Sequence, residues 1–210
     1  MNKWRTIDIV IASVVAVAFG VIFWAWGLLW NGPADAIPLP GRAVLYGMWL
    51  VPAVLGALIV RKPGAAFYTL TLASLVSVAI GTSWGWTLVV QGPLEALGAE
   101  LAFAIFGYKA FGAAVAVLAG VLSAPLEWAF EVVSFPASWA DVPVLSVFAN
   151  GGGWYAEWVL RDKLVYLGAM AVSGAVLAGF VGWLLVRALA RAGALSAFPA
   201  GQEHRESHAV

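Results

Sequence analysis

The sequence predicts an all-α membrane protein of six transmembrane helices, and three observations carry that prediction. The first is charge: 11 basic and 11 acidic residues make up 10% of 210 positions, against about 25% in a soluble domain. The second is a mean hydropathy of +0.93 with 63% hydrophobic residues. The third is a series of apolar runs that approach or exceed the roughly 20 residues needed to cross a 30 Å hydrocarbon core. A net charge of zero gives no electrostatic footprint for nucleic acid. The absence of cysteine excludes disulfides, thiolate catalysis and thiolate metal sites.

Each span follows from its run and its punctuation. Span one covers about 6–30. Its basic start, Lys3 and Arg5, invites comparison with a signal peptide, but the run outlasts the 7 to 15 residues of a signal core and carries Trp24, Trp26 and Trp30 at its far end. It is expected to be retained. Pro33, Pro38 and Pro40 stiffen the connection to span two, 42–60, which closes on the basic turn Arg61-Lys62-Pro63-Gly64. Span three is 65–83. The turn Trp84-Gly85-Trp86 precedes span four, 93–109, with Pro93 suited to a first helical turn. Span five is 111–135. Residues 136–161, with Asn150-Gly151-Gly152-Gly153, read as a long loop with short helices, and span six is 162–191. Residues 1–196 thus form one membrane domain, and 197–210, holding both histidines, read as a polar, disordered cytoplasmic tail.

With the amino terminus inside, Lys3, Arg5, Arg61, Lys62, Lys109, Arg187, Arg191 and Arg205 collect on the inner side, leaving Arg42, Arg161 and Lys163 outside. This asymmetry obeys the positive-inside rule and places both termini in the cytoplasm of a multi-pass plasma-membrane protein. No internal repeat suggests an inverted-repeat carrier.

Ionisable residues within the spans are costly and mark functional candidates. They are Glu95, Glu100, Glu127 and Glu131. Counting inward from Pro93 and outward to Phe135 at 1.5 Å per residue puts Glu100 and Glu127 at matching depths, about 10 and 12 Å below the outer boundary. Glu127 and Glu131 share a helix face, whereas Glu95 and Glu100 diverge by about 140°, so Glu100 is the preferred partner. No basic residue lies at that depth. Either the carboxyls are protonated and hydrogen-bonded, or the missing positive charge comes with a ligand.

Ten of the 12 tryptophans fall in the outer half or outer loops. Belts form at both interfaces, so a one-sided excess beside carboxylates suggests a box for a flat cationic heterocycle, with Trp84, Trp86 and Trp128 as stacking candidates. The plain alternative is a thick outer belt. Small-residue stripes run along span one (Ala12, Ala16, Gly20), span five (Gly112, Ala116, Gly120, Ala124) and span six (Gly174, Ala178, Gly182). On spans five and six they suit internal packing; on span one the stripe suits either packing or docking of another membrane subunit.

There is no GxxxxGK[ST] phosphate loop, HExxH or GxSxG, so an enzyme lacks its usual groups, and active transport would draw on an ion gradient or a separate ATPase. Ala12-Ser13-Val14-Val15-Ala16, the run Gln91-Gly92-Pro93-Leu94-Glu95-Ala96-Leu97-Gly98-Ala99-Glu100-Leu101-Ala102-Phe103, Leu126-Glu127-Trp128 and the exit Arg187-Ala188-Leu189-Ala190-Arg191 carry a resemblance across residues 6 to about 200. The chain resembles the YkoE-like S components, the substrate-binding subunits of energy-coupling factor (ECF) vitamin transporters.

That resemblance implies a six-helix S-component fold that takes up thiamine or its hydroxymethylpyrimidine moiety. It implies no cofactor, a transmembrane T subunit, and separate cytoplasmic subunits that hydrolyse ATP. Ala12 and Ala16 match the AxxxA motif used against the T subunit, with Gly20 extending it. The expected site is Glu100 and Glu127, with Glu131 at the mouth, Glu95 nearby, and Trp84, Trp86 and Trp128 on the rings. The loop 31–41 or 136–161 is expected to close over it. Two rivals remain: an assembly subunit whose glutamates pair with a partner helix, and a proton-coupled carrier.

Overall fold

The structure, a computed structural model, describes residues 3–143 and 145–206. The final four residues of the tail, His208 among them, lie outside the described residues. Helix α1, Thr6–Asn31, is 26 residues long. Its start is anchored by Asp8, which is fully buried. Asp8 accepts from the Arg5 backbone N–H at 2.7 Å and pairs with both Arg5 and Lys62. Trp4 adds a bond from Nε1 to the Pro63 carbonyl at 3.0 Å. The start of α1 is thus pinned to the basic turn at Arg61-Lys62-Pro63-Gly64.

The small stripe of α1 is consumed inside the chain. Ala12, Ala16 and Gly20 are all buried. A Cβ on Gly20 would strike Val76 and the Ala73 carbonyl of α3. The stripe therefore lets α1 lie against α3, Ala65–Ala79, so Ala12, Ala16 and Gly20 are packed within the chain. The outward face of α1 carries Val10, Val14, Val17, Val21 and Leu28, branched and bulky residues that suit acyl chains.

Helix α2, Gly47–Val60, follows a 3-10 turn, Gly41–Leu45, and is buried along nearly its whole circumference. A helix apolar on every side belongs at the centre of a bundle. It ends where Arg61 takes a left-handed conformation, φ 56°, and bonds its N–H to Ala57 at 2.9 Å. Helix α3 is shorter than the expected 65–83: its 15 residues rise about 22 Å.

Helix α4, Leu88–Ile105, is preceded by a 3-10 turn at Gly85–Thr87. Pro93 therefore lies inside the helix, not in its first turn, and α4 starts five residues earlier than expected. Interior proline is tolerated in membrane helices because neighbouring elements satisfy the freed carbonyl. Pro52 in α2 and Pro125 in α5, Ala113–Val132, are further cases.

Two short elements cap one end of the bundle, a 3-10 turn at Ala137–Asp141 and α6, Ser146–Gly151. The chain then runs as one long helical stretch, Leu160–Arg191. It comprises α7, Leu160–Ser173, a π-helical segment, Gly174–Val181, and α8, Gly182–Arg191. The stripes of α5 and of this stretch meet: a Cβ on Gly120 would collide with the Gly174 carbonyl, and one on Gly98 of α4 with the Leu122 carbonyl of α5. Only glycine permits backbones this close.

Among the described residues, five helical stretches are long and apolar enough to cross a membrane, and α3 is a sixth, shorter apolar helix. The tail departs from expectation. Pro199–Glu206 forms α9, with Leu195, Phe198 and Ala200 buried. Glu203 of α9 makes a bidentate pair with Arg61, Nη1 to Oε1 at 2.7 Å and Nη2 to Oε2 at 2.6 Å. Three apolar residues and one fork-shaped ion pair fold back a segment that its polarity marks as disordered.

Candidate ligand-binding site

The end of the bundle under the cap formed by Ala137–Asp141 and Ser146–Gly151 holds a narrow cavity of about 30 Å³, lined from six helices and the turn before α4. Phe23 and Trp30 come from α1, Trp49 from α2 with Tyr46 at its cap, Ser74 from α3, Gln91 and Glu95 from α4, Glu127 and Glu131 from α5, and Tyr166 from α7. Trp84 closes one wall.

Three buried carboxyls enter this space, and each is held by one neutral donor. Tyr46 O–H donates to Glu95 Oε1 at 2.7 Å, Gln91 Nε2 to Glu127 Oε1 at 2.6 Å, and Tyr166 O–H to Glu131 Oε2 at 2.7 Å. Each bond fixes the rotamer of its carboxyl and leaves the second oxygen for another partner. Glu127 Oε2 is fully buried and meets no donor among the described residues. The indole N–H of Trp49 is likewise unmatched. Buried polar groups are nearly always paired, so such orphans at a cavity wall point to a group that arrives from outside.

Among the described residues, no basic side chain pairs with these carboxyls. Arg42, the cation at the rim, is otherwise engaged. Its Nη1 binds Asp35 at 2.8 Å and the Trp30 carbonyl at 2.9 Å, and its guanidinium lies 5.2 Å from the Trp30 ring centroid.

The aromatic wall is continuous. Trp30 and Trp49 meet edge to face at 4.9 Å, Trp84 contacts both, and Trp154 of the cap stacks on Trp84 at 5.6 Å and 26°. A Cβ on Gly27 would come within 3.3 Å of Trp84 Nε1, so the bare backbone there seats the indole against α1. The cap is hooked to the end of α5 by Gly153 N–H to the Phe130 carbonyl, 2.8 Å, and Tyr155 N–H to that of Glu131, 2.9 Å. Burial and the neighbouring Glu131 push the Tyr155 hydroxyl up to about 12. It remains neutral at physiological pH.

Of the residues expected at the site, the fold brings together Glu95, Glu127, Glu131 and Trp84. It separates the other three. Glu100 sits toward the far end of α4 and is spent on the start of α3, accepting from the backbone N–H groups of Gly64, Ala66 (3.0 Å) and Phe67 (3.2 Å) and from Tyr108 O–H (2.7 Å). The depth match failed because α4 begins at Leu88, which carries Glu100 beyond the pocket. Glu95, one turn earlier, takes its place. Trp86 is 74% exposed, and Trp128 turns its Nε1 to the Lys163 carbonyl at 2.8 Å. Tyr46, Gln91, Tyr166, Trp30 and Trp49 complete the site. Their signal was the same one that singled out the glutamates: hydrogen-bonding side chains within apolar runs.

The chain resembles known proteins at every level compared. Residues 7–126 match the family model described as the permease component of an ABC-type cobalt transport system. Among the described residues, no cluster of three or more His, Cys, Asp or Glu is arranged to hold a metal ion. A candidate HMP/thiamine permease protein, YkoE, of Bacillus subtilis (strain 168) is 31% identical over 203 residues, covering 97% of this chain and 93% of that protein. The crystal structure of an S-component of an ECF transporter superposes with a TM-score of 0.83 at 29% identity, covering 98% of this chain and 95% of the other.

Proposed function

The chain belongs to the YkoE-like S components of ECF transporters, and from that premise we propose that its pocket captures thiamine or the hydroxymethylpyrimidine part of it for import. The observation that carries this reading is the set of three buried carboxyls without a basic partner among the described residues, enclosed by indoles. A permanently cationic thiazolium supplies the missing charge, and an exocyclic amine on a pyrimidine can donate to Glu127 Oε2. The tryptophans offer faces on which either ring stacks. An anionic vitamin would meet repulsion.

In this reading Glu95, Glu127 and Glu131 set charge complementarity, while Trp30, Trp49 and Trp84 set the shape of the slot. The chain crosses the plasma membrane six times, α3 being the short crossing, with both termini cytoplasmic; the clustering of basic residues at one end of the bundle supports that orientation. A transmembrane T subunit and separate ATPases complete the importer, and no cofactor is required of this subunit.

The test is a tryptophan-quenching titration of the purified chain with thiamine, hydroxymethylpyrimidine and riboflavin, repeated on Glu127→Gln. Saturable quenching by thiamine or hydroxymethylpyrimidine that the variant weakens, with no response to riboflavin, is the expected result. Flat titrations for all three ligands overturn the reading and favour an assembly subunit.

A further inference from the structure

At the opposite end of the bundle from the aromatic pocket lies a second cavity, a groove of about 440 Å³. It opens between the end of α2, the start of α5, α8 and α9. Its polar rim carries Arg61, Lys109 and Arg187; its floor is apolar, including Leu58 and Val186. Glu203 is the one acidic residue in the lining, and it is taken up by Arg61. Lys109 and Arg187 form no ion pair among the described residues, so the groove keeps two uncompensated positive charges. Arg187 lies over Trp183 at 4.8 Å from the ring centroid, which holds the guanidinium at the groove wall. The start of α5 opens at the same place, with Gly112 at its cap and no side chain bonding its first N–H groups.

We propose that this groove binds the anionic headgroup of a membrane phospholipid. The charge, the open helix start and the apolar floor favour an amphiphile with a phosphodiester at its polar end. The lipid is the source because the groove lies where the spanning helices end, at headgroup level, with Trp183 and Phe111 at its edge as interfacial aromatics do. The site is separate from the vitamin pocket and does not rest on its assignment.

Native mass spectrometry of the detergent-purified full chain, titrated with phosphatidylglycerol and in parallel with phosphatidylcholine, tests this. The wild type is expected to retain one phosphatidylglycerol in preference to phosphatidylcholine. The Lys109→Gln/Arg187→Gln pair should weaken that retention on the order of 30-fold, because each substitution removes one positive charge facing the phosphodiester. Circular dichroism and the melting temperature in phosphatidylcholine verify that the double variant is folded. If it is not, each single variant serves, with an expected weakening of about fivefold. Equal retention of the two lipids, or full retention by the folded variants, overturns the proposal. So does inorganic phosphate at millimolar concentration displacing the lipid completely, since the site would then be one for free phosphate.

Discussion

Glu127 and Gln91 share a single hydrogen bond of 2.6 Å across the α4–α5 interface, and the other Glu127 oxygen is buried with no donor among the described residues. An unmatched carboxyl oxygen in an apolar enclosure costs folding free energy. Here that cost is concentrated at the wall of a cavity. Substituting Glu127→Gln should therefore act with opposite signs on folding and on binding: melting temperature unchanged or raised, thiamine affinity lowered by about 30-fold or more. Thermal denaturation and quenching titration of one preparation check both.

Glu100→Gln should give the reverse pattern. Its carboxylate serves three backbone N–H groups at the start of α3 and the Tyr108 hydroxyl. Removing charge-assisted bonds at a helix start should take away about 1 to 3 kcal/mol of stability. Ligand affinity should stay within about twofold. A large drop in affinity in a variant of normal stability would contradict this placement.

The two tryptophans flanking Gly85 differ sharply in role. Trp84 is packed between Trp30, Trp49 and Trp154, whereas Trp86 is 74% exposed. Trp84→Phe should weaken binding by roughly 2- to 12-fold, because the smaller ring stacks less well in the aromatic wall. Trp86→Ala should leave the titration unchanged.

The fold of the tail should depend on pH. The Arg61 guanidinium holds the Glu203 carboxyl below the ordinary carboxylate range. A lowered folded-state value means that the pair contributes fully above the unfolded value, near 4.3, and that the contribution fades as pH falls through the folded value. Glu203 is 66% exposed, so solvent screening limits the effect to under about 1 kcal/mol. Proteolysis at the 192–198 connection should accelerate on acidification from about pH 5 to about pH 3 in the wild type. Glu203→Gln should be cut at the faster rate throughout.

Gly120 is expected to tolerate no side chain, because a Cβ there would overlap the Gly174 carbonyl. Gly120→Val should abolish recovery of folded protein in detergent, while substitution of Gly168, which has open space around it, should be neutral.

These expectations rest on geometry that the sequence conveys unevenly. The bundle was legible because apolar runs long enough to span are rare in soluble chains, and because Arg61-Lys62-Pro63-Gly64 and Lys109 punctuate them. Glu127 and Glu131 were legible as a pair because i,i+4 spacing on a helix fixes their common face. Glu100 was misplaced for a physical reason. Pro93 signals a helix start in water, whereas α4 carries it internally, and a five-residue error in the start moves a side chain more than one turn along the axis. The stripe Ala12, Ala16, Gly20 was ambiguous because small residues serve close packing within a chain and between chains alike; the position of Val76 and Ala73 shows the packing within the chain. The cap residue Trp154 came to stack on Trp84 through loop closure across 70 positions, which no local pattern encodes.

The π-helical segment Gly174–Val181 has a consequence for how this chain can vary in length. A π turn holds one residue more than the α turn it replaces, so everything after it is rotated relative to an uninterrupted α-helix. Tyr166 faces the aromatic pocket from before that segment, and Val186 and Arg187 line the basic groove from after it. Deleting a single residue between 174 and 181 would relax the segment toward α geometry and swing α8 by roughly 100° about its own axis. Tyr166 would keep its bond to Glu131 while Val186 left α2. The segment is thus a phase shifter: it sets the angular offset between the two ends of one helix.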